Sequence, residues 1–228
     1  MTAQRLGVLG GSFNPVHLGH LHIAERSREV FGLSRVFFVV ASVPPHKPLQ
    51  DLIPFAHRYA MVSLATSGNA CLSPSMVELE PPPSPYSVDT LAKLARRYET
   101  AGKDLYFIAG ADSLLDVAGW HRPETLLKSY NFIFVVRPGV KAPDINAVLP
   151  PAAASRVVDC RGIRANRLGR RIAAELAKPE CRIFLVDFAA PDVAASQIRR
   201  LASSGQRIDD LVPARVQEYI LKLHLYGE

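Results

Sequence analysis

Two histidines and a pair of adjacent glycines lie within eleven residues near the start of the chain, in the run GGSFNPVHLGH. Gly10 and Gly11 let the backbone approach a ligand because they carry no Cβ, and the helix that follows offers unpaired N–H groups and the positive end of its dipole. His17 and His20 are three residues apart, so one helical turn can aim both imidazoles at the same point. A glycine turn between an apolar segment at 5–9 and a helical pattern predicts a nucleotide phosphate site.

Other interpretations of this run account for fewer of its residues. The glycine spacing matches neither GxGxxG nor GxxxxGK[ST], which disfavours a dehydrogenase-type dinucleotide fold and a P-loop kinase. A zinc site would need a third ligand and a general-base carboxylate, but HExxH is absent and His22 falls on another face of the helix. The interpretation that the two histidines have only a structural role stays open. Neither zinc nor a structural role explains the two glycines and Ser12 just upstream.

The rest of the chain alternates between two kinds of pattern. Nearly continuous apolar runs predict buried strands at 5–9, 35–41, 104–109, 131–136 and 182–186. Helical patterns lie between them at 18–31, 55–67, 87–100, 112–118 and 123–129. This alternation predicts an α/β fold with a mostly parallel sheet and helices on both faces. Ligands of such sheets bind beyond the carboxyl ends of strands where the strand order reverses, so the segments that follow the strands should converge on one crevice.

The length of 228 residues predicts one domain that spans 1–228. The segment 139–180 has the least regular pattern and is a candidate mobile insertion. Its basic run RGIRANRLGRR fits a solvated helix face better than nucleic-acid contact, because no aromatic residues are interleaved with the arginines. A final helix is predicted over 213–226, where it should cover the sheet.

Composition excludes several classes of protein. Hydrophobic residues at 48% and charged residues at 21% are ordinary globular values. No apolar run approaches the ~20 residues that cross a bilayer, and no secretory signal pattern opens the chain, so we expect a cytoplasmic protein without a membrane partner. The three cysteines are widely spaced and form no CxxC pair, which argues against a disulfide framework and a zinc module. A net charge of +6 suits a polyanionic substrate such as ATP as well as nucleic acid.

The run GGSFNPVHLGH at 10–20 resembles the GSF(D/N)PxHxGH signature of the HxGH nucleotidyltransferases. Further segments are similar, in order, to those of the bacterial nicotinate-nucleotide adenylyltransferase family. These segments are VPPHKP at 43–48, PYSVDTL at 85–91, FIAGADSLLDVAGWHRPETLL at 107–127, VVRPG at 135–139 and LVPARVQEYI at 211–220.

One segment departs from the family pattern. The family usually shows ISSTxIR near its C-terminus, whereas this chain has VAASQIR at 193–199. Ala194 and Ala195 replace two hydroxyl residues, while Ser196 and Arg199 are retained. Because of this departure, the interpretation that the chain is a non-catalytic nucleotide-binding protein of the same fold stays open. The intact His17 and His20 argue against it. Phosphopantetheine and glycerol-phosphate nucleotidyltransferases share HxGH but lack the GADSLxxxxxW arrangement.

The resemblance implies a single Rossmann-like nucleotidyltransferase domain that transfers the adenylyl group of ATP to nicotinate mononucleotide, with release of pyrophosphate, in NAD biosynthesis. Direct attack on the α-phosphorus needs no covalent intermediate, so positioning and charge stabilisation should supply the catalysis. His17 and His20 would donate to the phosphates, and Mg²⁺ would be held by the ATP phosphates without protein ligands. The implied ATP residues are Gly10, Gly11, Ser12, Phe13, His46, Lys47, Ser196 and Arg199. The implied mononucleotide residues are Ser87, Thr90, Asp112, Trp120, His121 and Arg137.

Three of these assignments have competing interpretations. His46 and Lys47 would reach the phosphates from a proline-bounded loop, or form an ordinary surface turn. Asp112 would bind ribose hydroxyls, cap a helix over 113–118, or do both. Trp120, the only tryptophan, is implied to stack on the pyridine ring, although a generic tryptophan is more often part of a core.

Overall fold

The computed structural model describes residues 4–43, 52–136, 145–188 and 191–227. Within these ranges the strands form one sheet in the order β3-β2-β1-β4-β5-β7-β6, and every neighbouring pair is parallel. The strands are β1 Leu6–Gly11, β2 Arg35–Val40, β3 Leu72–Ser75, β4 Leu105–Gly110, β5 Asn131–Val135, β6 Val157–Asp159 and β7 Ile183–Val186. The predicted α/β class and parallel sheet are confirmed.

Helices cover both faces of the sheet. They are α1 Leu18–Phe31, α2 Phe55–Thr66, α3 Ser87–Arg97, α4 Asp112–Asp116, α5 Pro123–Ser129, α6 Ile145–Val148, α7 Pro151–Ala154, α8 Ala165–Leu176, α9 Ala195–Ser203 and α10 Ala214–Lys222. Side chains along β2 alternate between two cores: Phe38 packs with one cluster, and Phe37 and Val39 pack with the other. Because both faces are buried, the central strands are apolar along most of their length. None of the described helices has the length and apolar character needed to cross a membrane.

The five predicted strands and five predicted internal helices are present, with ends that differ by up to a few residues. Five elements escaped prediction: β3, β6, α6, α7 and α9. Helix α8 falls on the basic run, for which the sequence favours a solvated helix face. The sequence of β3 is LSPS, and β6 has only three residues. Both are edge strands, which can be short, polar or proline-containing because they pair on one side only. Their sequences therefore lack the apolar run that marks a central strand.

The candidate insertion at 139–180 is part of the domain where it is described. Strand β6 pairs with β7 at one edge of the sheet, and Ile172 of α8 is buried in the core. Residues of 145–180 therefore contribute one edge of the sheet and part of the core. The C-terminal helix is also shorter than predicted, since α10 ends at Lys222 and the chain continues as a turn in which His224 and Tyr226 have positive φ.

The sheet order reverses between β1 and β4. The chain after β1 crosses to β2 on one side, and β4 adds on the other, so the carboxyl ends of β1 and β4 form a topological switch point. Such points open a crevice at the strand ends. The glycine turn at the end of β1 and the Ala109–Ser113 segment at the end of β4 both lie there, as the sequence predicts.

Candidate active site

Two adjoining cavities open at this switch point. The first, of about 320 Å³, is called the aromatic cavity here, and its lining includes Phe107, Trp120 and His121. The second, of about 300 Å³, is called the histidine cavity, and its lining includes His17 and His20. The two share a border made by Gly10, Ala109 and Ser113. Two molecules bound side by side would meet at the carboxyl ends of β1 and β4.

His17 and His20 lie together at the start of α1, as the spacing predicts. His17 is the extended residue that precedes the helix, and His20 is in the first turn. Their ring centroids are 3.6 Å apart with the planes 30° from parallel. The backbone N–H of His17 donates to Nδ1 of His20 at 3.2 Å. Since Nδ1 accepts a hydrogen bond, neutral His20 carries its proton on Nε2, where it can act as a donor.

Gly19, between the two histidines, gives the His17 ring its space. A Cβ at this position would lie 3.1 Å from Nδ1 and 3.2 Å from Cε1 of His17, and 3.4 Å from the carbonyl oxygen of Pro191. These distances are shorter than ordinary carbon contacts, so alanine would displace the imidazole. The glycine of the HxGH run thus has a packing reason that is independent of backbone conformation.

The glycine turn approaches aromatic rings as well as the cavities. A Cβ on Gly11 would lie 3.1 Å from the ring of Phe13, and one on Gly10 would lie 3.3 Å from the ring of Phe107. Gly10, Gly11 and Ser12 line the aromatic cavity, and Gly10 also lines the histidine cavity. Phe13 is buried and packs edge-on against His20 with centroids 5.0 Å apart. Its ring therefore supports the catalytic candidate, whereas only its backbone can serve a ligand.

Aromatic side chains form one wall of the aromatic cavity. Trp120 meets Phe107 edge to face, with ring centroids 5.5 Å apart and planes at 79°. Tyr86 stacks on His121 with centroids 4.2 Å apart, and both side chains are exposed. Trp120 is partly buried: it packs on Phe107 at the edge of the core and also lines the cavity.

The first turn of α3 faces the same cavity. Ser87 and Thr90 both line it, and the side-chain oxygen of Thr90 is buried with no hydrogen-bond partner among the described residues. The N–H groups of Asp89 and Thr90 already donate to the carbonyl of Tyr86. The backbone donors that this helix start can offer are therefore those of Ser87 and Val88.

The turn after α4 supplies another backbone donor, in addition to those at the start of α3. The N–H of Trp120 donates to the carbonyl of Val117 at 3.2 Å, which closes a single helical turn over Val117–Gly119. The backbone donor available from the Trp120–His121 pair is thus the N–H of His121. An orphaned hydroxyl and helix-start N–H groups that line one cavity are the arrangement expected of an anion-binding site.

Asp112 and Ser196 line neither cavity. Asp112 is exposed and is the first residue of α4, whose cap position is Ala111, so the expectation that Asp112 caps a helix over 113–118 is wrong. Its neighbour Ser113 lines both cavities and was not singled out from sequence. Ser196 is exposed in the first turn of α9, and the histidine cavity is bordered just upstream by Pro191, Asp192 and Val193. His46, Lys47 and Arg137 lie outside the described residues.

Arg199 makes a contact that the sequence did not predict. Its Nη1 donates to the carbonyl oxygen of Asn14 at 2.9 Å, so the side chain reaches from α9 to the glycine turn. The hydroxyl of Tyr226 donates to Oδ1 of the same Asn14 at 3.0 Å. Asn14 is 3% exposed. The end of the glycine turn is therefore held by side chains from the last fifth of the chain.

Glu78 is a buried carboxylate that also escaped prediction. It lines the aromatic cavity, and its Oε2 accepts the backbone N–H of Ser42 at 2.8 Å and the hydroxyl of Ser42 at 3.1 Å. Burial raises the pKa of Glu78, and the bonds from Ser42 and the charges of Lys93 and Arg58 oppose that rise in part. Because Ser42 follows β2, Glu78 anchors the start of the segment that carries His46 and Lys47.

The described residues contain no group of three or more His, Cys, Asp or Glu side chains placed to hold a metal ion. The charged side chains that line the two cavities are the carboxylates of Glu78 and Asp192.

Comparison with known proteins agrees with this geometry. Residues 8–201 match the model of the cytidylyltransferase-like family. The protein named "Probable nicotinate-nucleotide adenylyltransferase" of Pelobacter propionicus is 38% identical over 225 residues, which is 99% of each chain. That of Geobacter metallireducens is 39% identical over 98% of each chain. The chain belongs to the nicotinate-nucleotide adenylyltransferases of the cytidylyltransferase-like family.

A solved structure of this family shares the fold. The nicotinic acid mononucleotide adenylyltransferase of Plasmodium falciparum, complexed with NaAD, superposes with a TM-score of 0.68 over 98% of this chain and 97% of its own. The sequences are 17% identical. At that identity the likeness concerns the fold, and the site residues of this chain are argued from its own geometry.

Proposed function

We propose that this chain transfers the adenylyl group of ATP to nicotinate mononucleotide and releases pyrophosphate. The observation that carries the proposal is the pair of adjoining cavities. One is bordered by two histidines at a helix start, and the other by aromatic rings and helix-start donors. Two nucleotides held in this way would meet at Gly10, Ala109 and Ser113, where the mononucleotide phosphate would attack the α-phosphorus of ATP. The names of the full-length relatives support the same reaction.

ATP would occupy the histidine cavity, and its phosphates would extend across the shared border at Gly10 to the glycine turn. Nε2–H of His20 would donate to the phosphates, together with His17 and the backbone of Gly11, Ser12 and Phe13. These donors would stabilise the charge that develops on the nonbridging and leaving oxygens, and one such donor is typically worth ~10²–10³ in rate. Ser196 and Arg199 would add phosphate contacts from α9, and His46 and Lys47 would add others from the segment after β2. Magnesium, when bound by the ATP phosphates, would lower their net charge.

Nicotinate mononucleotide would occupy the aromatic cavity. The pyridine ring would stack on Trp120, and its carboxylate would accept from the N–H groups at the start of α3 and from His121, with the hydroxyls of Ser87 and Thr90 beside it. The buried hydroxyl of Thr90 would gain the partner that it lacks among the described residues. Asp112 would bind ribose hydroxyls, and Arg137 would serve the substrate phosphate.

This arrangement favours the acid over the amide of the mononucleotide. Backbone N–H groups can only donate, and a carboxylate accepts from them in charge-assisted bonds. A carboxamide would turn its NH₂ toward one donor and would lose the dipole attraction. With each charged hydrogen bond worth ~1.5–3 kcal/mol, the loss of one or two gives a preference on the order of 10- to 10³-fold or more.

The proposal is tested by comparing kcat/KM for nicotinate mononucleotide and nicotinamide mononucleotide, with ATP and magnesium, in a pyrophosphate-release assay. We expect the acid to be preferred by at least about tenfold. Equal efficiencies, or a preference for the amide, would show that Ser87, Thr90, Trp120 and His121 are wrongly assigned. If neither mononucleotide supports pyrophosphate release, the proposed reaction itself is wrong.

A further inference from the structure

Arg58 is a buried cation behind the glycine turn. It lies in the first turn of α2 and is 2% exposed. Its Nε donates to the carbonyl of Ile53 at 3.1 Å, and its Nη1 donates to the carbonyls of Ser12 and Ala41, both at 2.8 Å. No ion pair in the described part of the chain includes it. Burial lowers the pKa of Arg58. Burying a charge without an ion pair costs free energy, so the position of Arg58 needs a physical reason.

The three carbonyl groups that Arg58 binds belong to three separate parts of the chain. Ser12 directly follows β1, Ala41 directly follows β2, and Ile53 lies just before α2. Ser12 and Ala41 both line the aromatic cavity. Arg58 thus links the ends of two neighbouring strands to the helix beneath them, at the edge of the sheet where the cavities open.

The bond to Ser12 also fixes the next N–H group. A peptide unit is planar and trans, so the carbonyl of Ser12 and the N–H of Phe13 point in opposite directions. With the carbonyl held by Arg58, the N–H of Phe13 points away from the cation. A positive charge on the carbonyl polarises the same peptide unit, which makes that N–H a stronger donor. The Phe13 N–H is one of the phosphate donors in the function proposed above.

The backbone of Phe13 needs this support because it is strained. Its φ is 45°, in the left-handed region that bulky residues avoid. Such conformations cost roughly 1–3 kcal/mol and persist where the surroundings impose them. Here one arginine holds the carbonyl before Phe13, and Arg199 holds the carbonyl of Asn14 after it.

We propose that Arg58 is a positioning residue for adenylyl transfer, which orients and polarises the phosphate-binding N–H of Phe13 through the Ser12–Phe13 peptide. This inference rests on the proposed function. It assigns a role to a side chain whose hydrogen bonds, within the described part of the chain, all go to main-chain oxygens.

Arg156 offers a matched control. It too is an arginine that donates to main-chain carbonyls, with Nη1 2.6 Å from Leu127 and Nε 3.0 Å from Ala152. Burial lowers the pKa of Arg156 as well. It lies beside β6 at the far edge of the sheet and lines neither cavity. Loss of this side chain should therefore affect folding without affecting the phosphate donors.

The experiment compares Arg58→Met, Arg58→Lys and Arg156→Met with the wild type, measuring kcat and both KM values per folded molecule and the melting temperature. We expect Arg58→Met to lower kcat by about 10- to 100-fold, because a misdirected donor loses most of its effect in the transition state. The KM for nicotinate mononucleotide should change less than threefold. Arg58→Lys should restore part of kcat, since it keeps a charge but not the fork geometry. Arg156→Met should keep kcat within about twofold while lowering the melting temperature.

Two results would overturn the inference: a folded Arg58→Met protein with kcat within about twofold of the wild type, or equal losses of kcat in Arg58→Met and Arg156→Met. If Arg58→Met does not fold, Arg58→Lys decides, and a wild-type kcat in that variant contradicts the proposed role. A wild type that releases no pyrophosphate would instead contradict the proposed function on which the inference rests.

Discussion

Replacing Gly19 by alanine should separate stability from activity. Glycine in a helix costs roughly 0.5–1 kcal/mol relative to alanine, so helix propensity alone would make the variant more stable. The new Cβ would, however, lie 3.1 and 3.2 Å from two ring atoms of His17. To regain ordinary contact the imidazole must move by a few tenths of an ångström. Misplacement by about 1 Å can cost ~10² in rate, so a shift of this size predicts a kcat lower by roughly 4- to 10-fold.

The assay is pyrophosphate release with ATP and nicotinate mononucleotide, together with a thermal melt of each protein. Gly169→Ala is the matched control because Gly169 lies within α8, where an added Cβ meets nothing within 4 Å. That variant should gain roughly 0.5–1 kcal/mol of stability and keep its kcat. Gly19→Ala should gain less than Gly169→Ala, since overpacking offsets the propensity. A Gly19→Ala protein with wild-type kcat would refute the assigned position of the His17 ring.

Three further outcomes are expected. Arg199→Ala should raise the KM for ATP about tenfold or more, because it removes a charge-assisted hydrogen bond to a phosphate. An unchanged ATP affinity would show that Arg199 binds Asn14 but not ATP. Ala194 is the N-cap residue of α9 and provides no side-chain hydrogen bond. Ala194→Ser should therefore stabilise the protein by ~1 kcal/mol and raise the melting temperature by about 2–4 °C. An unchanged melting temperature would show that the serine does not cap α9. Burial raises the pKa of Tyr106 to about 12, so with rising pH the unfolded chain loses the phenolic proton before the folded protein does, and the free energy of unfolding should fall between roughly pH 10 and 12. In urea titrations Tyr106→Phe should lose less stability over that range than the wild type. Equal losses would contradict the raised pKa.

The sequence predicts the features that depend on local spacing. The glycine turn, the histidine pair and the start of α3 are encoded within short stretches. The central strands, most helices and the position of the glycine turn beside the histidine pair therefore follow from pattern alone. The edge strands do not, because β3 is short, polar and interrupted by proline, and β6 has only three residues.

The contacts that hold the glycine turn could not be predicted from the sequence. Tyr226 reaches Asn14 across 212 positions of the chain, and Arg58 reaches Ser12 across 46. Glu78 reaches Ser42 across 36. No local period links such pairs, and each side chain alone has the pattern of an ordinary helix or loop residue. They become visible only when the parallel sheet brings the strand ends together.

The central claim is that this chain moves the adenylyl group of ATP directly to nicotinate mononucleotide with the help of donors at the start of α1. Its most direct test follows ATP labelled at the α-phosphorus in the presence of nicotinate mononucleotide and magnesium, with wild-type protein and with His20→Ala. The wild type should transfer the label to the dinucleotide and release unlabelled pyrophosphate. His20→Ala should do so at least ~10²-fold more slowly while remaining folded in a thermal melt. Normal label transfer by a folded His20→Ala protein, or label released in any product other than the dinucleotide, would contradict the account.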